Sequence, residues 1–437
     1  MNLSKLCIFT FGLCAILAHD DILLTMNFGS LNFRIVQLVI SLLDLLIVIY
    51  LWNKSSGKYS NIGKFVIALT ILLVITNWIS TLTNFSMRGV AIAAFFTFNA
   101  VTALLIGLFL HSTRLHEKFV DLFIIGGFFA AILGILQFLA GVVVGFDLGV
   151  TQWWIPGCLP RINGLSYEPS YYGTYLLTVF VLWNERRLIN NEIYRTGYGV
   201  ISMAPNFLSH LNMLMCITIS VALILSSSRL AIGAFLLYLL FRNGPVFFAA
   251  MIAMPALIGL GMVLFGEDVL PVLLTGTGIG GASDYSTMTR FDQMMSTIEI
   301  WQLHPLLGVG LGNVGPEIAR QNGLDWAMVF ETEGWKIEPL NITFEAAAGI
   351  GMVGLLYFIC IPGLAIWTWV KARGSSSGDV RVSVAASLFV LILLLNFNQG
   401  LNRVYMWLLF GIFLGAILHS RDSAVPGGHY SPISLKL

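Results

Sequence analysis

Residues 89–110 read GVAIAAFFTFNAVTALLIGLFL, 22 residues without one charge. At about 1.5 Å of rise per residue, a helix of that length crosses the roughly 30 Å hydrocarbon core of a bilayer. The run has many counterparts. Candidate spans lie at about 6–26, 34–52, 64–84, 89–110, 119–147, 170–184, 207–226, 229–242, 245–266, 341–370, 382–397 and 403–419. Composition agrees with them. Of 437 residues, 57% are hydrophobic and 10% charged, with a mean hydropathy of +0.86. A soluble protein would carry roughly a quarter charged residues. An outer-membrane barrel is excluded, because its strands would alternate apolar and polar in segments of roughly 10 residues. The sequence predicts an all-α polytopic membrane protein of about twelve transmembrane helices with one large aqueous loop.

The basic residues orient the spans. In one orientation the cytoplasmic segments hold Lys5, Lys54, Lys58, Lys64, Arg114, Lys118, Arg186, Arg187, Arg195, Arg242, Lys371, Arg373, Arg381, Arg421 and Lys436, fifteen of the 23 lysines and arginines. Both termini then face the cytoplasm. The organisation expected is residues 1–266 as transmembrane helices 1–9 with a short outer loop at 148–169, residues 267–340 as a large outer loop, residues 341–420 as helices 10–12, and residues 421–437 as a cytoplasmic tail. The first apolar run lacks a small-x-small cleavage site before His19 and reads as a retained helix. Of the five cysteines, only Cys158 falls in an aqueous loop, so no disulfide framework and no CxxC metal pattern exists. The net charge of +1 says nothing about nucleic acid, but the chain lacks a basic domain that could track phosphates along a polymer, and no nucleic-acid partner is expected.

The eight outer basic residues are Arg34, Arg88, Arg161, Arg229, Arg290, Arg320, Lys336 and Arg403. Seven are arginines, the side chain whose planar fork matches phosphate. Any one of them can simply pair with a nearby Asp or Glu. Arg161, Arg229 and Arg290 taken together suggest a task. Arg161 lies in the 148–169 loop, within PRINGLSYEPSYYG at Pro160–Gly173, seven positions before Glu168. Glu168 precedes a span, where the helix dipole favours a carboxylate, and it can also serve as a base beside an anion-holding arginine. Arg229 follows three serines at a helix start. It either snorkels or forms an anion site with free backbone N–H groups. Within the large loop, TRFDQMMSTIEIWQL at Thr289–Leu303 spaces Phe291, Met294, Met295, Ile298 and Trp301 as an amphipathic helix, on the membrane surface or over the bundle.

Next comes His304, in WQLHPLLGVGLGNVG. The glycines there do not fit GxxxxGK[ST], and the strand–helix context is missing, so a nucleotide loop is rejected. No HExxH or spaced His/Asp cluster argues for a metal. The loop acids Asp284, Asp292, Glu331, Glu333 and Glu338 are scattered. The aromatics Trp153, Trp154, Tyr167, Tyr171, Tyr172, Trp301, Trp326 and Trp335 lie on or near the outer face, as sugar-stacking rings or as an interfacial belt. GSSSG at Gly374–Gly378 reads as a flexible linker, and no internal repeat is evident.

HPLLGVGLGNVG preceded by Arg290, SSSRLAIGAF and RINGLSYEPSYYG resemble the O-antigen polymerase and ligase superfamily, over about Arg161–Leu356. The resemblance implies a bacterial inner-membrane enzyme related to C-type glycosyltransferases, with its active site facing the periplasm. It moves glycan from undecaprenyl diphosphate to an acceptor, without cofactor or metal. Ligases of the family carry a histidine just before the span that follows the large loop. Here, in EPLNITFEAAAGIGMVGLL, that position reads Leu340, although Asn341, Gly349, Gly351 and Gly354 fit. The departure favours a polymerase of O-antigen or exopolysaccharide units over a ligase acting on lipid A core. Under this reading Glu168 is the first choice of base and His304 the second. Arg161, Arg229 and Arg290 hold the diphosphate, and Tyr167, Tyr171 and Tyr172 contact sugar. The partners are the lipid-linked donor and acceptor, the bilayer, and room for a co-polymerase that regulates chain length. A lipid-linked glycan transporter would be expected to show repeat symmetry or paired broken helices, and neither is seen.

Overall fold

The computed structural model describes residues 2–23, 26–28, 31–52, 54, 59–155, 159–195, 205–242, 285–326, 337, 339–372, 380–398 and 400–418. The expected span at 245–266, most of the large loop with Asp284, Glu331, Glu333, Trp335 and Glu338, Cys158, the GSSSG linker and the tail lie outside the described residues.

Helices dominate. In chain order they are α1 (Leu3–Ile16), α2 (Ile35–Trp52), α3 (Asn61–Thr83), α4 (Met87–Thr113), α5 (His116–Leu139), α6 (Pro169–Arg195), α7 (Pro205–Leu225) and α8 (Arg229–Arg242). Then follow α9 (Tyr285–Leu303), α10 (Val314–Gln321), α11 (Ile342–Ile350), α12 (Met352–Ala372), α13 (Val380–Leu395) and α14 (Val404–Leu418). Among the described residues five segments are long and apolar enough to cross a membrane: Ile35–Trp52, Asn61–Thr83, Met87–Thr113, His116–Val144 and Met352–Lys371. The chain is a multi-pass membrane protein. Three boundaries differ from the sequence reading. The first apolar run is helical only to Ile16, α6 continues past the predicted end at 184, and the predicted 341–370 span is two helices. Gly351 divides that span at φ 71°, ψ −149°, a conformation essentially restricted to glycine. Hydropathy is silent about such a break because both flanks are apolar.

At the centre stands α14, in which every residue is buried. A helix that is apolar all round has no solvent face to offer and belongs inside a bundle. Its main neighbour is α4. The two axes approach through glycine: a Cβ on Gly107 would meet Leu414 at 2.8 Å, and one on Gly411 would meet the Ala103 carbonyl oxygen at 2.9 Å. Gly411 and Gly415 form the small-xxx-small spacing that membrane helices use for close contact.

Each end of the bundle is tied by polar groups. At one end Arg242 grips the fully buried Glu185 through Nε (2.8 Å) and Nη2 (3.0 Å), joining α6 to α8. The same end holds the Ser60 hydroxyl against the Ile417 carbonyl. The opposite end carries two short hairpins, β1 (Met26–Phe28) with β2 (Leu31–Phe33) and β3 (Gln152–Ile155) with β4 (Leu159–Arg161). Near the second hairpin α5 closes in a π-helical turn, Ala140–Val144. It is at this end that the candidate residues collect.

The loop 304–313 is seated here by its own backbone. Val309 N donates to Ala348 O and Gly310 N to Gly349 O, both at 2.8 Å. Asn313 locks the seat from the side: Nδ2 donates to Asn84 O (2.6 Å) and Val309 O (2.8 Å), while Oδ1 accepts from the Ser86 hydroxyl. Gly312 lies against Gly89 and the Arg88 carbonyl, where a Cβ would come within 2.8 Å. The glycines of HPLLGVGLGN are therefore places of close backbone approach.

Candidate active site

PRINGLSYEPSYYG divides into a scaffold and a working half. Gln137 of α5 organises the scaffold. Its Nε2 donates to Gly164 O (2.7 Å), and its Oε1 accepts from the N–H groups of Asn163 (3.2 Å) and Gly164 (2.8 Å). Asn163 Nδ2 closes the turn onto Ser166 O at 2.6 Å. Gly164 has φ 57°, and a Cβ there would meet the Tyr172 ring at 2.7 Å. Ring and loop thus fit only around glycine.

On this scaffold Arg161 ends β4. Its Nη1 donates to Gln152 Oε1 on the facing strand at 2.6 Å, and its Nη2 reaches the Ser227 carbonyl at 3.4 Å. That carbonyl is presented by an uncommon turn. Ser227 has φ 54°, a left-handed conformation few non-glycine residues adopt, and it reverses the chain from α7 into α8. Gly173 lets α6 pass beneath, since a Cβ would stand 2.9 Å from that of Ser228. Replacing Ser227 with valine is expected to destabilise the protein by about 1–3 kcal/mol. The check is the thermal midpoint in detergent, with Ser227→Gly expected at or above the wild-type value.

Arg229 opens α8 and is exposed. Arg290, near the start of α9, donates from Nη1 to Phe397 O at 3.3 Å. Glu168 lies immediately before α6 and is half-buried. Burial lowers the pKa of the Arg161 guanidinium from its ordinary value; the Glu168 charge opposes this, and the charges of Arg229 and Arg290 add to it. Three arginines from three separate segments thus share one field with one carboxylate.

The other outer cations have structural partners. Arg34 and Arg403 both bind the Asp21 carboxylate, Arg34 at 2.6 Å. Arg88 Nε donates to Gly312 O at 3.1 Å, and its guanidinium lies 4.7 Å from the centre of the Trp326 ring. Arg320 pairs with Glu317 one turn away. Lys336 lies outside the described residues. Sequence reasoning missed Asp21, Gln137, Gln152 and Asn313. The adjacent acids Asp20 and Asp21, which interrupt the first apolar run, were the available signal for Asp21.

The tyrosines and His304 take different positions. Tyr172 is fully buried, its hydroxyl donating to Ala130 O at 2.8 Å, so it fills the helix interface instead of presenting a ring to a sugar. Tyr171 is 6% exposed and lies under Arg403, whose guanidinium is 3.6 Å from the ring centre, while Tyr167 is 63% exposed. His304 is exposed at the end of α9, its N–H donating to Ile300 O and its carbonyl accepting from Gly308 N. Helix α9 also turns an unexpected face inward. Gln293, Thr297 and Ile300 are buried, while Phe291 and Met295 are exposed.

Residues 214–359 match the family model described as O-Antigen ligase. This part of the chain is an O-antigen ligase family domain. No curated protein matches the chain. The domain runs from α7 into α12 and contains Arg229, Arg290, His304 and the glycine-rich loop. Arg161 and Glu168 precede it and come to it through the fold. The match supports a ligase- or polymerase-type function in general.

Proposed function

We propose that this protein is a polymerase of lipid-linked glycans, working at the periplasmic face of a bacterial inner membrane with both termini in the cytoplasm. The donor is a glycan on undecaprenyl diphosphate, and the acceptor is a sugar hydroxyl of another lipid-linked repeat unit. The acceptor oxygen bonds to the anomeric carbon of the donor sugar as that carbon's bond to the diphosphate breaks. The hydroxyl proton passes to Glu168. The leaving diphosphate takes the bonding pair, and fixed cations placed where that charge develops lower the barrier. The observation that supports this reading is that Arg161 feels the charges of Glu168, Arg229 and Arg290 together. Tyr167 and the edge of Tyr171 are the rings left to meet sugar. The prenyl chain lies between helices, open to lipid.

Polymerase is preferred over ligase because the chain has Leu340 before Asn341, which caps α11 by accepting from Phe344 N at 3.0 Å. The ligase reading is kept by the description of the matched family. Purified protein given one undecaprenyl-diphosphate-linked repeat unit, with and without lipid A core, separates the two by product mass. A ladder at integer repeat spacing on the carrier supports the polymerase. Glycan found only on lipid A core replaces it with the ligase.

A further inference from the structure

A short segment after α1 is stitched to the working half of PRINGLSYEPSYYG. Asp21 N donates to Leu165 O at 2.8 Å, and the Ser166 hydroxyl donates to His19 O at 2.9 Å. The Asp21 side chain, 4% exposed, then gathers three donors. Arg34 Nη1 holds Oδ1 at 2.6 Å. Oδ2 accepts from Arg403 Nη1 and from the backbone N–H of Tyr167 at 3.1 Å. The same Arg403 guanidinium covers the Tyr171 ring at 3.6 Å. Tyr171 in turn donates its N–H to the Glu168 carbonyl at 3.1 Å. Glu168 therefore stands between two fixed points, Tyr167 before it and Tyr171 after it, and both are fixed by the Asp21–Arg403 pair.

Stability alone is a poor reason for this arrangement. Desolvating a buried ion pair offsets most of its attraction, and apolar side chains of similar volume do as well or better. What an ion pair adds is a fixed geometry and a fixed charge. We infer that Asp21, acting through Arg403, is the positioning residue for Glu168. The inference rests on Glu168 being the base of the proposed transfer.

The test uses the full-length protein in nanodiscs with the lipid-linked repeat unit. Asp21→Asn preserves shape and removes the charge. With the flanking backbone loosened, kcat is expected to fall about 10- to 100-fold, the scale set by small misplacements of catalytic groups. KM for the donor stays within about twofold. Arg403→Lys keeps the charge and loses the planar stack, and is likewise expected to lower kcat with KM for the donor unchanged. It also decides the matter if Asp21→Asn fails to fold. Wild-type kcat in either folded variant, or a loss confined to the thermal midpoint, overturns the inference. Glu168→Gln keeps the two readings apart: full activity there removes Glu168 as base, while an inactive Glu168→Gln beside an unaltered Asp21→Asn removes only the positioning role.

Discussion

Arg229→Ala is expected to slow glycan transfer by about 100- to 1000-fold while leaving the protein folded. The size follows from the loss of one fixed group aimed at charge that develops in the transition state. The expectation that the fold survives comes from the position. Arg229 is exposed at the first residue of α8, and a cation there opposes the helix dipole, so its removal relieves about 0.3–1 kcal/mol instead of costing it. Under the proposed function, Arg229 is the cation beside Arg161 that meets the diphosphate. Arg161→Ala is the less clean experiment, because Gln152 Oε1 and the Ser227 carbonyl lose a donor together. It should lower both activity and stability, the latter by about 1–3 kcal/mol. Arg229→Lys should recover part of the rate, since a point charge replaces the charge but not the fork. Initial rates by product mass, read beside the thermal midpoint of each variant, check the set. Full-length polymer from folded Arg229→Ala would remove that arginine from the mechanism.

The membrane class and the five membrane-crossing segments among the described residues were legible because hydropathy over roughly 20 residues is a local property. What escaped reading was set by distance. Arg403 and Asp21 pair across 382 positions, and nothing in either neighbourhood announces the other. Gln137 folds the RING segment from the apolar stretch 122–139 of α5, and a lone glutamine in such a run gives no hint of four hydrogen bonds. Tyr171 and Tyr172 look alike on paper, yet one step along α6 rotates a side chain by about 100°, enough to put one under Arg403 and the other against Ala130. The outer arginines were more readable as a group than singly. Cations on the side that topology disfavours need a reason. Asp21 and Glu317 pair with Arg34, Arg403 and Arg320, whereas Arg161 and Arg290 are held by carbonyl and amide oxygens that leave their charge uncompensated by those bonds.

The glycines give the second large effect. Gly351→Ala is expected to destabilise the protein by about 3–5 kcal/mol, at the upper end for single substitutions. A Cβ at Gly351 would stand 2.1 Å from the Leu306 carbonyl oxygen and 2.3 Å from its carbon. Neither partner is a flexible side chain that can swing away. The backbone of 306–310 cannot retreat without breaking Val309 N to Ala348 O and Gly310 N to Gly349 O, and Gly349 O is also held by the Ser80 hydroxyl at 3.0 Å. Gly308→Ala should behave alike, with φ 70° and a Cβ 2.4 Å from Ala348 O. The control is Gly233, inside α8 with nothing within 4 Å of its Cβ position. There alanine should stabilise by about 0.5–1 kcal/mol, because only the helix propensity of glycine is being corrected. The three thermal midpoints, measured in one detergent, carry the comparison, and a wild-type midpoint for Gly351→Ala would mean that 304–313 is not seated on the α11–α12 break. Activity should follow stability at the first two sites even in the fraction that stays folded. The loop is the continuation of α9, and α9 carries Arg290, so pushing the loop off its seat moves an arginine whose value depends on where it stands.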